Sequence, residues 1–598
     1  MPIQPQQLAQ LHAQSERGDV AGALAGIETL LAGDQTNATA WHLAGILRGR
    51  AGNKEQGVDA FKRAIKLGLK TAEILNSLGL ALQDLGRSSE AARQFAKAIK
   101  LDANYVPARV NAAKLKAAEG RANVAEQDLR ATLRAHPDSA LAQNALASVL
   151  EDQGQAQAAL DIYAGALVRN PKDLAAAIRL GKGLRDMGRA QEALDHYRTH
   201  QQAFASSPEF VEAMGGAMVD CGQIAEAEQV YEHLVARAPG YFAGHRALAR
   251  LAREYATGKD AYRSYRAMVS RWPQELSIWQ DWLSLMLAYR DHDEALEAVR
   301  EAESKLGANP MLSYSKALAL TETGANDEAE KLFSVLAPGA GGSASFLVSR
   351  ARNAIARGEV AAAEEWLTQA TETEPHNQSA WAYLGLAWRL RGDAREFWLH
   401  DYDVQTRQMP IEYLSDPDKM QDLRQLLRGM HTSQNHPPEQ SLRGGTQTQG
   451  ALFARPDAEI VALREAIRLQ VDEFARSLPD DAKHPFYRRT TKRTRFAGSW
   501  SVRLRGEGFH TVHLHQEGWI SSALHLVQPP AEKGGNPDAG CLTLGMPPRE
   551  MGLDLPARKI VRPIEGSLVL FPSSMWHGTI PFTGGDERLT VAFDAVPA

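Results

Sequence analysis

Three histidines in the C-terminal part of the chain have the residue type and spacing of a metal site. His513 and His515 lie two positions apart in a segment, Thr511 to His515, that we predict to be a β-strand, so both side chains are expected on one face. His577 follows a second strand-like segment, Ser567 to Phe571. A non-haem ferrous site needs three ligands on one side of the metal, with the other positions left for a co-substrate and O2. The spacing therefore predicts His513, His515 and His577 as ligands of one metal ion.

A fixed cation for an oxo-acid follows soon after His577. Arg588 and Thr590 are two positions apart in a strand-like segment, so they too are expected on one face. The distal carboxylate of 2-oxoglutarate needs a buried cation, and Arg588 can bind it through two parallel hydrogen bonds. The Thr590 hydroxyl can add another. We therefore predict that Arg588 and Thr590 bind this co-substrate.

The elements that must position these residues are short strands. Alternating or short apolar segments occur at Trp500 to Leu504, Thr511 to His515, Ile520 to Val527, Ser567 to Phe571 and Leu589 to Phe593. Glycine, proline and aspartate cluster between them, which is typical of an all-β sandwich or barrel.

A connecting segment precedes the strands. Residues 402–435 are predicted to be partly helical, and 441–450 are predicted to be a loop because paired glycines lie among polar residues. An amphipathic helix is expected after Pro456, with its apolar residues three or four positions apart. We expect that helix to pack on the outer face of the sheet.

The first two-thirds of the chain repeat one unit. A small residue followed four positions later by a large apolar one recurs every 34 residues (91 minus 57, and so on along the chain). The pairs are Gly57/Phe61, Ala91/Phe95, Ala125/Leu129, Ala159/Tyr163, Ala193/Tyr197, Ala227/Tyr231, Ala261/Tyr265, Ala295/Val299, Ala329/Phe333 and Ala363/Leu367. The small residue lets two helices approach closely, and the large residue lies on the same helical face. Each unit is therefore predicted to be a pair of helices.

These positions resemble the tetratricopeptide repeat, with about ten or eleven copies over residues 5–400. The resemblance implies an α-solenoid of stacked helix pairs, a fold whose concave face commonly binds peptides or proteins. We expect a protein or peptide partner in the repeat groove. A role as a scaffold or dimerisation arm is the alternative.

Roughly residues 435–598 resemble the 2-oxoglutarate–Fe(II) oxygenase domain found behind tetratricopeptide repeats, a relative of the prolyl hydroxylases. The motifs that carry the resemblance are Ser441–Thr448, Trp500–Leu504, His513–His515, Gly518–Ser522, Gly566–Ser573, His577 and Arg588. The resemblance implies a double-stranded β-helix (jelly roll) in which His513 and His577 bind iron and Arg588 binds the oxo-acid. It also implies hydroxylation of a substrate, coupled to oxidative decarboxylation of 2-oxoglutarate, with Fe(II) as cofactor and O2 as co-substrate.

The chain departs from this family at the second histidine. The wider superfamily has Asp or Glu where this chain has His515, and three neutral imidazoles leave the charge of the metal uncompensated until the dianionic oxo-acid binds. Such a site could be active or prefer another divalent metal. Glu517 or His510 could complete the ligand set instead, although His510 would face away in a regular strand. The relatives also have two tyrosines where this chain has Leu524 and His525, so His525 is expected near the pocket wall, as an oxo-acid or substrate contact or as a packed core residue.

Several other functions fit parts of this pattern. A non-catalytic interaction scaffold with a degenerate metal-binding jelly roll is the main alternative. A cupin-like three-histidine dioxygenase that needs no oxo-acid is the second, and an epimerase or isomerase on the same fold is the third. No acid–base pair in the sequence favours the last of these.

The composition limits the possible partners. The net charge of −5 gives no reason to expect nucleic acid or an anionic membrane surface as a partner, and no segment reaches the roughly 20 apolar residues of a membrane span. The two cysteines, Cys221 and Cys541, are too few for a disulfide framework or a thiolate metal site. With no secretory signal evident in the N-terminal residues, we expect a cytoplasmic protein.

The whole chain is thus predicted to be multidomain, α then β. The expected parts are a repeat superhelix at 1–400, a helical connector and loop at 401–485, and a double-stranded β-helix oxygenase domain at 486–598.

Overall fold

The computed structural model of the protein describes residues 3–491, 493–529, 536–582 and 587–597. The chain divides into two compact units, Met1–Arg179 and Leu180–Ala598. The domain boundaries expected after residues 400 and 485 stay a prediction. Within the described ranges, every helix is too short or too polar to cross a lipid bilayer.

The first unit is built from helix pairs. Its helices are α1 (Pro5–Glu16), α2 (Val20–Gly33), α3 (Ala38–Arg50), α4 (Lys54–Lys66), α5 (Ala72–Asp84), α6 (Ser88–Leu101), α7 (Val106–Ala118), α8 (Ala122–Ala135), α9 (Ala140–Asp152) and α10 (Ala156–Arg169). Helix α11 (Leu174–Asp186) contains the boundary between the units.

The second unit continues the helix pairs and then changes to strands. Its repeat helices are α12 (Ala190–Phe204), α13 (Pro208–Asp220), α14 (Ile224–Arg237), α15 (Phe242–Glu254), α16 (Arg263–Arg271), α17 (Leu276–Ala288), α18 (His292–Leu306), α19 (Pro310–Glu322), α20 (Asn326–Ala340), α21 (Ala344–Ala356), α22 (Val360–Thr373), α23 (Gln378–Leu390) and α24 (Arg395–Leu399). Two later helices are α25 (Pro417–Gly429) and α26 (Ala458–Ser477).

In two of the helix pairs, the large residue of the repeated unit packs on a glycine of the preceding helix. Gly79 of α5 lies under the ring of Phe95 on α6, and a Cβ atom added at Gly79 would be 2.5 Å from that ring. Gly215 of α13 and Tyr231 of α14 repeat the arrangement in the second unit, with a corresponding distance of 2.4 Å. Only glycine leaves room for so close an approach. The predicted order, an α-solenoid of tetratricopeptide repeats followed by a β domain, is confirmed.

The β domain contains two antiparallel sheets. Its strands are β1 (Arg407–Pro410), β2 (Leu442–Gln447), β3 (Thr494–His510), β4 (Ile520–Val527), β5 (Leu542–Leu544), β6 (Lys559–Val561), β7 (Ser567–Pro572), β8 (His577–Thr579) and β9 (Glu587–Pro597). The larger sheet has the order β1-β7-β4-β9-β3-β2, and the smaller has the order β6-β5-β8. Two antiparallel sheets with these crossovers are consistent with the predicted jelly roll.

Two segments differ from the sequence-based predictions. The loop predicted at 441–450 is wrong, because β2 pairs with β3 there. The glycines serve a β-bulge at this point, where Gly444 has φ +69° and the register shifts. The strand predicted at 511–515 is also wrong, because β3 ends at His510 and only His513 in this segment makes an isolated bridge, to His577.

The faces of β4 and β9 differ in polarity. Alternate residues of β9, including Leu589, Val591 and Phe593, share one apolar core with the buried face of α26. The predicted packing of this helix on the sheet is therefore confirmed. Arg588, Thr590 and Asp594 point to the other face of β9 because side chains alternate along a strand. That second face faces the interior between the sheets.

Candidate metal centre

His513 and His577 are joined through their backbones. The N–H of His513 donates to the carbonyl of His577 at 2.9 Å, and the N–H of His577 donates back at 3.0 Å. This bridge attaches the segment after β3 to the start of β8 and brings the two ring centroids to 4.2 Å. The pairing explains how residues 64 positions apart (577 minus 513) meet at one point.

His515 completes a group of three imidazoles. Its Nε2 lies 3.2 Å from Nε2 of His513, and its ring centroid lies 5.0 Å from that of His577. One ligand atom from each of the three side chains lies within 4.8 Å of the others. Two nitrogens bound about 2.1 Å from one ion at a right angle would be about 3 Å apart. The spacing of His513 and His515 is therefore close to that of two metal ligands.

The outer nitrogens of the three rings fix which nitrogen faces inward. Nδ1–H of His513 donates to the carbonyl of Thr511 at 2.8 Å, and Nδ1–H of His577 donates to the carbonyl of Met575 at 3.0 Å. A carbonyl only accepts, so Nδ1 must carry the proton and the neutral ring presents a lone pair at Nε2. Nδ1–H of His515 has a carboxylate acceptor instead, Asp594 Oδ1 at 2.6 Å. Lone pairs that face one another in this way favour a cation between them.

Burial keeps the imidazoles of His513 and His577 in the neutral form that binds metals. Burial, with the neighbouring His515 adding to it, lowers the pKa of His513 to about 3. Burial lowers the pKa of His577 well below its usual value as well, and the nearby His513 and His515 add to that effect. Both rings are therefore neutral at pH 7, as metal ligation requires.

Arg588 and His525 form a second polar group on the interior face of β4 and β9. Arg588 is 3% exposed, and its Nε and Nη1 find no hydrogen-bond partner among the described residues. His525 is fully buried, lies opposite Thr590 in the strand register, and has no described partner at either ring nitrogen. Burial lowers the pKa of Arg588 to about 10, and burial together with the Arg588 charge lowers that of His525. Buried polar groups normally have partners, so this group fits an absent anionic ligand.

The two alternative ligands lie outside the group of three. Nδ1 of His510 is 3.1 Å from the hydroxyl of Ser441, and its ring is stacked on that of His513 at 6.0 Å. Glu517 is exposed. Among the described residues, only His513, His515 and His577 bring three such ligand atoms together.

Models of two families match this chain. The family described as "Putative 2OG-Fe(II) oxygenase" matches residues 498–594, which include the three histidines and Arg588. The family described as "Tetratricopeptide repeat" matches residues 42–106, 110–173, 150–208 and 348–396. The chain therefore joins segments that match tetratricopeptide repeats to a segment that matches this oxygenase family.

Similar solved structures were also found. A structure of Naa15/Naa10 bound to HypK-THB is 15% identical to this chain, with a TM-score of 0.25. The match covers 65% of this chain and 66% of that one, so the similarity extends over just under two thirds of the length of that structure. A tetratricopeptide repeat protein from Parabacteroides merdae is 14% identical over 41% of this chain and 96% of its own, with a TM-score of 0.30. The pilus biogenesis factor PilW is 26% identical over 34% and 94%, with a TM-score of 0.27. These TM-scores are too low to carry an argument. No curated protein matches the chain.

Sequence reasoning missed two polar residues of the oxygenase domain. Asp594 lies on the same face of β9 as Arg588 and Thr590, so strand alternation could have identified it. The Ser441 hydroxyl lies 3.2 Å from Nε2 of His513. Ser441 was noted only as part of a family motif, because the predicted loop hid its position beside β3.

Proposed function

We propose that this protein is an Fe(II)- and 2-oxoglutarate-dependent dioxygenase that hydroxylates a protein or peptide recruited by its repeats. The observation that carries the proposal is the convergence of one ring nitrogen from each of three histidines in a domain matched by the oxygenase family. A buried arginine without a full set of partners lies in the same domain.

The three imidazoles fit a ferrous ion. His513, His515 and His577 offer neutral nitrogen donors, which suit iron, and they come from two neighbouring chain segments so that part of the coordination sphere is left for other ligands. The ion, when bound, would supply the activation of O2. The backbone carbonyls behind His513 and His577 hold those two rings in the tautomer that presents Nε2.

The second polar group fits the oxo-acid. Arg588 can donate two parallel hydrogen bonds to the distal carboxylate of 2-oxoglutarate, and Thr590 and His525 lie beside it on the same interior face. In the overall reaction one oxygen atom of O2 enters the substrate as a hydroxyl group. The other enters the oxo-acid, which loses CO2 and becomes succinate.

A cavity supports a polypeptide as the substrate. About 400 Å³ in volume, it lies in the second unit between repeat helices and the connecting segment, where Glu439 and Gln449 line it. Gln449 Nε2 donates to Glu254 Oε2 at 3.1 Å and so attaches this segment to α15. Ser441, next to the His513 imidazole, is two residues from Glu439 and therefore within about 7 Å of it along the chain. A cavity of this volume accommodates a side chain with its adjoining backbone.

A non-catalytic scaffold is the second candidate, favoured by His515 standing where a carboxylate ligand is usual. In that case the repeats would bind the same partners, and the domain would bind a metal without turning over an oxo-acid. The cupin-like dioxygenase differs in needing no Arg588. Turnover separates the scaffold from the two enzymes, and dependence of that turnover on the oxo-acid separates the two enzymes from each other.

Capture of the substrate tests the proposal. A His577→Ala variant would be used to capture partners from a lysate, and each captured protein would then be incubated with the wild-type chain, Fe(II), O2 and 2-oxoglutarate. We expect a captured protein to gain the mass of one oxygen atom, only when the oxo-acid is present, and a matched Arg588→Ala enzyme to fail. Turnover of small molecules alone would refute the protein substrate, and turnover without the oxo-acid would refute the co-substrate. The exposed residue Arg549 provides the control variant, Arg549→Ala.

A further inference from the structure

The ligand set contains no carboxylate, yet a carboxylate lies one hydrogen bond away from it. Asp594 Oδ1 accepts from Nδ1–H of His515 at 2.6 Å. The opposite nitrogen of the same ring, Nε2, faces His513. The His515 imidazole therefore connects Asp594 to the place where the metal would bind.

Asp594 is held in position by a chain of hydroxyl groups. Ser521 Oγ donates to Asp594 Oδ1 at 2.7 Å, so its single proton is used there. Ser573 Oγ, at 2.8 Å from Ser521 Oγ, must then be the donor in that contact. Ser521 and Asp594 are direct cross-strand partners on β4 and β9. Two rigid strands thus fix the carboxylate.

The surrounding backbone leaves little freedom for this group. A Cβ atom added at Gly518 would lie 2.3 Å from Ser573 Oγ and 3.1 Å from Asp594 Oδ1. Asp594 itself is only 9% exposed. Removing a carboxylate from water is unfavourable unless a counter-charge compensates it, and the described hydrogen bonds to Asp594 Oδ1 come from the His515 ring and the Ser521 hydroxyl. A metal ion on Nε2 of His515 would supply that counter-charge.

We propose that Asp594 is a positioning residue that fixes the His515 tautomer and supplies, through this ring, the negative charge that a carboxylate ligand would otherwise provide. A carboxylate behind a metal-binding imidazole orients the ring and makes it a stronger donor. The inference rests on the proposed metal centre, and it explains how His515 can occupy a ligand position that usually holds Asp or Glu.

A double-mutant cycle on metal affinity tests this role. Asp594→Asn keeps the shape and removes the charge, and it should weaken Fe(II) binding about 10- to 100-fold, measured anaerobically without oxo-acid. His515→Asp puts a carboxylate directly at the ligand position. In that background Asp594→Asn should have little effect on affinity, because the imidazole that transmitted the charge is gone.

The cycle separates positioning from general stabilisation. A merely structural Asp594 would change the affinity equally in both backgrounds, or in neither, and either result would overturn the inference. Asp472, a buried carboxylate of helix α26 that accepts hydrogen bonds from the backbone N–H and the hydroxyl of Thr494, provides the control Asp472→Asn, which should leave the affinity unchanged. If Asp594→Asn does not fold, Ser521→Ala tests the same carboxylate, with a smaller loss expected and no loss overturning the inference.

The same samples distinguish this inference from the proposed function. Co(II) binding followed by its visible spectrum gives a second readout that needs no turnover, and Asp594→Asn should shift that spectrum in the His515 background only. A wild-type protein that binds metal but never responds to 2-oxoglutarate would refute the oxygenase proposal. The affinity cycle would still decide the role of Asp594.

Discussion

Replacing Arg588 by Met should make the metal-free protein more stable while abolishing its response to 2-oxoglutarate. The Arg588 side chain is 3% exposed, and its Nε and Nη1 have no partner among the described residues. A buried guanidinium charge without a full set of partners destabilises the folded protein until an anion binds to it. Methionine has a similar length and carries no charge.

The size of the effect follows from the pKa of the buried group. Burial lowers the pKa of Arg588 from the ordinary value of a guanidinium to about 10. At about 1.4 kcal/mol per pKa unit, the charged guanidinium destabilises the folded state by roughly 3 kcal/mol at pH 7. Arg588→Met should therefore raise the free energy of unfolding by up to about 3 kcal/mol. Loss of a buried charge-assisted contact of at least about 2 kcal/mol should weaken binding of the oxo-acid about 30-fold or more.

Urea unfolding of metal-free protein and oxo-acid titration of Mn(II)-loaded protein measure the two effects. Arg503 is the matched control, because its Nε donates to Glu587 Oε2 at 2.7 Å and it is a paired arginine of the neighbouring strand. Arg503→Met should not raise the free energy of unfolding and should leave oxo-acid binding intact. A less stable Arg588→Met protein that still binds 2-oxoglutarate normally would refute the reasoning.

Three further results are expected. His513→Ala should abolish metal binding in anaerobic calorimetry, whereas replacement of His510, a neighbouring half-buried histidine outside the group of three, by Ala should leave metal binding intact. The free energy of unfolding of the metal-free protein should fall as the pH drops below about 6.5, by up to about 1.4 kcal/mol per pH unit for His513. The reason is that the pKa of His513 is lowered to about 3 in the folded state, so that only the unfolded chain gains the proton in this range. Urea titrations that give the same free energy of unfolding at pH 7 and pH 5 would contradict this. Thermal unfolding should show that Gly79→Ala lowers the free energy of unfolding by about 1–3 kcal/mol, because the added methyl group overpacks against Phe95. Gly33→Ala, which has open space at its Cβ position, should not lower the free energy of unfolding in the same measurement.

The repeats could be predicted from the sequence because their residues recur at a fixed spacing. The 34-residue spacing of small and large residues indicates that one packing arrangement recurs, and Phe95, a large residue of that spacing, packs on Gly79 of the preceding helix. Strands β4 and β9 could be predicted for a similar reason, since alternate residues form one apolar face and one polar face, whereas β7 was predicted from a short apolar segment that is buried on both faces.

The geometry of the candidate metal centre could be predicted from the sequence only in part. His513, His515 and His577 were predicted as a group from residue type, although the supposed strand at 511–515 does not exist. An irregular segment held by long-range backbone hydrogen bonds brings them together, and no local pattern encodes such bonds. Strand alternation could have placed Asp594 on the face of Arg588 and Thr590, but its contact with His515 could not be predicted locally because it joins residues 79 positions apart.

The central claim is tested most directly by anaerobic titration of the full-length protein with Fe(II) and then 2-oxoglutarate, followed by visible absorption. The proposed site predicts a weak charge-transfer band that grows with the oxo-acid, saturates at one equivalent per chain, and is lost in both His577→Ala and Arg588→Met but not in Arg503→Met. A protein that binds one Fe(II) per chain and develops no such band with excess 2-oxoglutarate would contradict the assignment.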